Sequence, residues 1–162
     1  FTVQSGKSSA ISAEGDTTAG ADIDFGTHIA KSSSEELSQG NVGQATNNIQ
    51  VNCSKNTVFQ VALEPSNTNA EGTGSMSGLK GTNQDKIAYQ LYKPTVSDSE
   101  DETISNTISA NKWGKGSNAL TLTGKGLSTP IMLPVFAKVP QNELSDKTPD
   151  TYQDRVKVTL TY

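Results

Sequence analysis

One cysteine, one histidine and one tryptophan in 162 residues leave little from which to build a reaction centre. Cys53 on its own excludes an internal disulfide and any site held by several thiolates. His28 has no second histidine and no Gly-x-Ser-x-Gly elbow with which to form a nucleophilic triad. A lone histidine after a strand end reads as a surface residue, so no enzymatic activity, cofactor or metal is expected. Long apolar runs are missing too: no segment of 18 apolar residues exists, and no membrane-spanning helix follows. The chain carries no signal peptide, which a mature secreted protein would have lost. Thirteen Lys and Arg against 17 Asp and Glu give a net charge of −4 and a pI near 4.9. Without a basic stripe to neutralise phosphates, no nucleic-acid partner is expected.

Helical periodicity is scarce as well. Hydrophobic residues make up only 32% of the chain, whereas Ser and Thr supply 19 residues each. Such a composition suits thin sheets with one polar face better than a thick helical core. The apolar runs are short and separated by Gly, Asn, Ser and Pro, which predicts an all-β sandwich or barrel. With no internal repeat and no linker, residues 1–162 read as a single domain.

The predicted strands follow in order. Phe1-Thr2-Val3 is a short extended piece before a Ser/Gly/Ala-rich stretch. Ala21 to Gly26 alternates, with Ile23 and Phe25 on one side. Residues 31–45 read as a loop or an irregular edge, with at most one helical turn at Ser34 to Leu37. Ile49 to Cys53 and Thr57 to Leu63 alternate on either side of a tight polar turn, which makes either a hairpin or a corner between sheets. Pro65 stops the second run. Residues 66–86 hold a weak strand at most, and Ile87 to Tyr92 is the strongest strand of the middle. Thr103-Ile104 and Thr107-Ile108 suggest a short edge ribbon, and Ala119 to Thr123 a strand ended by Gly124. Pro130 to Pro140 is apolar on both faces and bracketed by prolines, as expected of a strand that crosses between sheets.

The last twelve residues organise the rest. Val156, Val158, Leu160 and Tyr162 share one face, and Arg155, Lys157, Thr159 and Thr161 the other. Burying all four apolar side chains would contribute roughly 6–12 kcal/mol, at about 1.5–3 each, which places this strand inside a sheet. Nothing follows it to pair with its other edge, so either an earlier strand or another chain must do so.

Four stretches together resemble the spore-coat-protein-U-like family, which supplies subunits of archaic chaperone–usher pili. They are Asp24-Phe25-Gly26, Ile49 to Cys53, Ile87 to Tyr92 with Trp113 downstream, and the closing run Tyr152 to Tyr162. The resemblance implies an incomplete immunoglobulin-like β-sandwich, completed by a donor strand from a neighbouring subunit. On this reading Val156, Val158, Leu160 and Tyr162 line a donor-strand groove. A periplasmic chaperone fills it first, and a neighbouring copy of the subunit replaces the chaperone at the outer-membrane usher, a form of strand addition. The implied product is a secreted homopolymeric surface fibre that serves adhesion and biofilm formation.

Two features depart from the family pattern. Phe1-Thr2-Val3 stands where an earlier cysteine is expected, so the disulfide that the resemblance implies for Cys53 is either absent or has its partner outside this sequence. Residues 1–12, the donor or linker segment of the resemblance, offer only Phe1, Val3 and Ile11 as apolar contacts, whether within their own subunit or on a neighbour. The alternative reading is a tip adhesin domain that binds a surface or glycan through its loops. Other features have plain readings. The acidic run Asp98 to Glu102 lacks ordered Ca²⁺-ligand spacing and reads as a solvated loop, and Asn52-Cys53-Ser54 matches the glycosylation pattern only formally. Trp113 either plugs the core or a subunit contact, or stacks on a sugar. Lys112 and Lys115, near the acidic run, suggest a polar patch between subunits.

Overall fold

Short alternating runs broken by Gly, Asn and Pro give short strands, and the computed structural model, which describes residues 2–5, 22–25, 41–44, 48–140 and 142–162, shows how they pair. Among the described residues there is no α-helix, only a single 3₁₀ turn at Gly116–Asn118. The strands are β1 (Thr2–Ser5), β2 (Asn41–Gln44), β3 (Ile49–Asn52), β4 (Val58–Pro65), β5 (Thr73–Gly78), β6 (Lys86–Val96), β7 (Ile104–Lys112), β8 (Leu120–Thr123), β9 (Ile131–Leu133), β10 (Phe136–Val139), β11 (Tyr152–Gln153) and β12 (Val156–Thr161).

They form three sheets of order β1-β3-β9, β11-β5-β6-β10-β2 and β12-β4-β8, with β7 paired to β6 beside β5. The first two sheets meet where Pro134 and Val135 carry the chain from β9 into β10, the crossing that the proline-bracketed run predicts. The third sheet faces them. Inward residues of all three, among them Val51, Phe59, Val61, Leu63, Leu91, Leu122 and Leu133, form one hydrophobic cluster. The architecture is an immunoglobulin-like sandwich with open sheet edges.

Trp113 joins the layers. It is completely buried, its indole Nε1 donates to the Val61 carbonyl of β4 at 2.9 Å, and its backbone N–H donates to Leu91 of β6. The reading of Trp113 as a core plug holds, and no sugar can stack on it.

Several sequence expectations resolve or change. β3 and β4 lie in different sheets, so the turn between them is a corner and not a hairpin. The edge ribbon is one nine-residue strand, β7, because pairing with β6 orders polar residues that show no alternation of their own. Part of the 31–45 stretch is strand β2, paired with β10. Around Ile23 there is only an isolated bridge, although Ile23 and Phe25 do pack together against the core. Pro65 is the buried last residue of β4. His28, Phe1 and the Ser34 to Leu37 turn lie outside the described residues.

Candidate functional site

The C-terminal run changes sheet partway along. Tyr152 and Gln153 (β11) pair with Gly78 and Ser77 of β5, and two residues later Val156 to Thr161 (β12) pair with Pro65 to Gln60 of β4. Antiparallel neighbours directly opposite share a face. Val158 opposite Leu63 and Leu160 opposite Val61 therefore point toward the core, as their period-2 spacing requires.

They are not fully buried there. Val158 and Leu160 are half-buried, Val156 is 36% exposed and Tyr162 72% exposed. This corrects the expectation that the half-buried strand lies inside a sheet with its four apolar side chains buried. β12 is the outermost strand of its sheet, with β4 on one side and no strand partner on the other among the described residues. One neighbour can cover only part of each inward side chain. Among the described residues the result is a six-residue strand edge without a strand partner, beside incompletely covered aliphatic side chains, a template for a further strand.

The crossover at Asp154 and Arg155 is anchored by side chains. Tyr89, on the inward face of β6, donates its hydroxyl to Asp154 Oδ2 at 2.6 Å. Ser66, just beyond Pro65, donates to Asp154 Oδ1. The Tyr89 ring is seated against Gly74, where a Cβ would stand 2.0 Å from its Cζ. Burial, reinforced by the Asp154 carboxylate, pushes the Tyr89 hydroxyl far above its usual range, so it stays a neutral donor.

The loop leading into β11 is sewn down in the same way. Asp85 accepts from the Thr148 hydroxyl at 2.6 Å and the Thr148 N–H at 2.7 Å, and these bonds hold its carboxyl below the usual range. Asp150 accepts from Asn83 Nδ2 at 2.9 Å, from the Lys80 N–H at 3.0 Å and from the Thr151 N–H at 2.7 Å, with the same effect. Glu143 accepts the Ala88 N–H of β6 at 2.8 Å, occupying a sheet position beyond the end of β10. The approach to β12 is thus fixed by polar contacts, while β12 itself has no strand on its outer edge among the described residues.

The remaining expected residues are placed as follows. Val3 lies in β1 and pairs with Val51 of its own chain. Cys53 is free and buried, and burial pushes its thiol up, which makes it a poor nucleophile. Lys112 and Lys115 pair with Glu71 (2.9 Å) and Glu64 of their own chain. Within that run, Glu102 accepts the Thr123 N–H at 2.7 Å and its hydroxyl at 3.2 Å. No helix among the described residues is long and apolar enough to cross a membrane.

Sequence reasoning missed Asp154, Tyr89 and Ser66 as a unit. The sole local signal was the aspartate just before the alternating closing run. Its partners are 65 and 88 positions away, beyond the reach of periodicity. Compared with known proteins, residues 2–159 match the family model described as the Spore Coat Protein U domain. No curated protein matches the chain.

Proposed function

Because the chain belongs to the spore coat protein U family, which comprises subunits of archaic chaperone–usher pili, we propose that it is the structural subunit of such a pilus and polymerises by donor-strand exchange. Residues 1–162 act as one pilin domain. The periplasmic chaperone holds the edge of β12 first, and at the outer-membrane usher an alternating apolar segment of a neighbouring copy replaces it. The contact joins unlike surfaces and does not close on itself, so it propagates as a fibre on the cell surface, where it serves adhesion and biofilm formation. The protein acts by binding and not by catalysis. Cys53 is structural, and any disulfide it makes has a partner outside this sequence.

One observation carries this reading: the outer edge of β12 has no strand partner among the described residues, while Val158 and Leu160 beside it are only half-buried. A donor strand would cover what β4 leaves open. Full burial of a Val or Leu is worth about 1.5–3 kcal/mol, and each net backbone hydrogen bond adds about 1 kcal/mol. Val156, Val158, Leu160 and Tyr162 form the groove wall, and register is set by side chains in alternate pockets.

The test is fibre assembly in cells that express the chain with its chaperone and usher. Leu160→Asp places a charge on the groove face and is expected to abolish surface fibres seen by electron microscopy. Thr159→Asp, on the exposed face of the same strand, is expected to leave them. Abundant fibres from the Leu160→Asp chain would contradict the proposal.

A further inference from the structure

The backbone ladder between β12 and β4 does not by itself select one register. A slip of one residue would turn Val158 and Leu160 outward and is excluded by burial. A slip of two residues keeps every side chain on its face and differs only in which residues stand opposite. Something outside the ladder must exclude it.

The carboxylate of Asp154, the anchor nearest to β12, occupies a place from which this can be done. It lies in the two-residue crossover between β11 and β12, and each of its oxygens is bound to a different layer of the sandwich. Oδ2 takes the Tyr89 hydroxyl from β6, and Oδ1 takes the Ser66 hydroxyl from the segment just after β4. Tyr89 cannot follow a displaced partner, because its ring is buried and seated against Gly74. Ser66 is one residue beyond Pro65, which stands opposite Val156, so the Ser66 contact fixes β12 against β4 within a residue of their first pair. A two-residue slip would carry Asp154 about 7 Å along the strand at 3.2–3.4 Å per residue, out of reach of both hydroxyls.

We infer that Asp154 is a positioning residue that sets the register of β12 against β4, and so sets the heights at which Val158 and Leu160 meet an incoming strand. The inference rests on the pilin reading for its functional consequence, but its structural content can be tested without it. Asp154 touches no donor strand itself. It acts through β12, by making one phase of the alternating groove dominant, so that a donor sequence is read in one frame.

The experiment traps the register by disulfide formation in the full-length chain. Thr159→Cys with Ala62→Cys reports the observed register, since these residues stand opposite each other. Thr159→Cys with Gln60→Cys, or with Glu64→Cys, reports a two-residue slip in either direction. Cys53 is buried and stays out of the trap. With Asp154 intact, only the first pair is expected to close. In Asp154→Ala the slipped pairs are expected to close to at least a tenth of the native yield. Tyr89→Phe, which keeps the ring, should do the same more weakly, and Asp154→Asn, which keeps an acceptor for Tyr89, should restore the native pattern. If Asp154→Ala fails to fold, Tyr89→Phe and Ser66→Ala carry the test. Exclusive closure of the native pair in Asp154→Ala, or in both milder variants if it does not fold, overturns the inference. Binding of a synthetic alternating apolar peptide to the same chains separates the two readings. If no chain binds the peptide but the slip appears, the register role stands and the pilin reading fails. If all bind it and no slip appears, the pilin reading stands and the register role fails.

Discussion

At the scale of single residues, Trp113 shows what a sequence can and cannot reveal. A lone tryptophan among glycines and lysines was readable either as core or as a contact, and composition could not choose between them. The structure chooses through one hydrogen bond, because the indole N–H satisfies the Val61 carbonyl inside the sandwich. Trp113→Phe keeps an aromatic ring but leaves that carbonyl without its donor, at a cost of about 1–3 kcal/mol, in addition to the loss from a smaller side chain. Chemical denaturation monitored by circular dichroism should show a midpoint shift of that size with an unchanged slope. A midpoint within error of the parent chain would mean that the bond contributes nothing. Cys53 and Val3 are the residues whose roles alternation could not assign, since both depend on what stands across from them.

At the scale of elements, the legible strands were those whose two faces differ. β4 and β6 were visible because Phe59, Val61 and Leu63, and Ile87, Tyr89 and Leu91, alternate against exposed or half-exposed neighbours. The β9–β10 crossing was visible for the opposite reason, since residues buried on both faces and flanked by prolines cannot remain in one sheet with a solvated side. β7 was seen only as fragments because Ser105, Asn106, Ala110 and Asn111 are small or polar, and only its pairing with β6 reveals the strand. The loop before β11 carried no signal, being held by carboxylates whose partners lie far away in sequence. Asp85 and Asp150 both titrate below the usual carboxylate value of about 4 because their hydrogen bonds favour the charged form. Their contribution to stability is therefore fully present above that value and is lost as pH falls through their lower folded-state values. Amide exchange should show this locally: protection of the Thr148 and Lys80 N–H groups should drop below about pH 4, and Asp85→Asn should flatten the change at Thr148. Loss of protection at Thr148 and Val61 together would instead mean that acid unfolds the sandwich as a whole.

For the whole molecule, one asymmetry organises the account. The polar network of Asp85, Asp150, Glu143 and Asp154 fixes the C-terminal run where it enters the third sheet, and among the described residues the strand it delivers has a neighbour on only one side. The closing alternation predicted the face that Val158 and Leu160 present. It did not predict how far they would be covered, because coverage depends on the number of neighbouring strands. That shortfall links the fold to the proposed function, since a sandwich complete in itself would have no use for a neighbour's strand.

The most direct test is the thermal midpoint and solution mass of the isolated chain, measured with and without a synthetic peptide of alternating apolar residues. The account predicts a labile or self-associating species that the peptide converts into a stable one-to-one complex. At a free peptide concentration one hundred times its dissociation constant, binding adds about 2.7 kcal/mol, which for a chain of this length raises the midpoint by roughly 5–10 °C. A monomer that is already stable, with a midpoint indifferent to saturating peptide, would mean that the edge of β12 accepts no strand and would contradict the account.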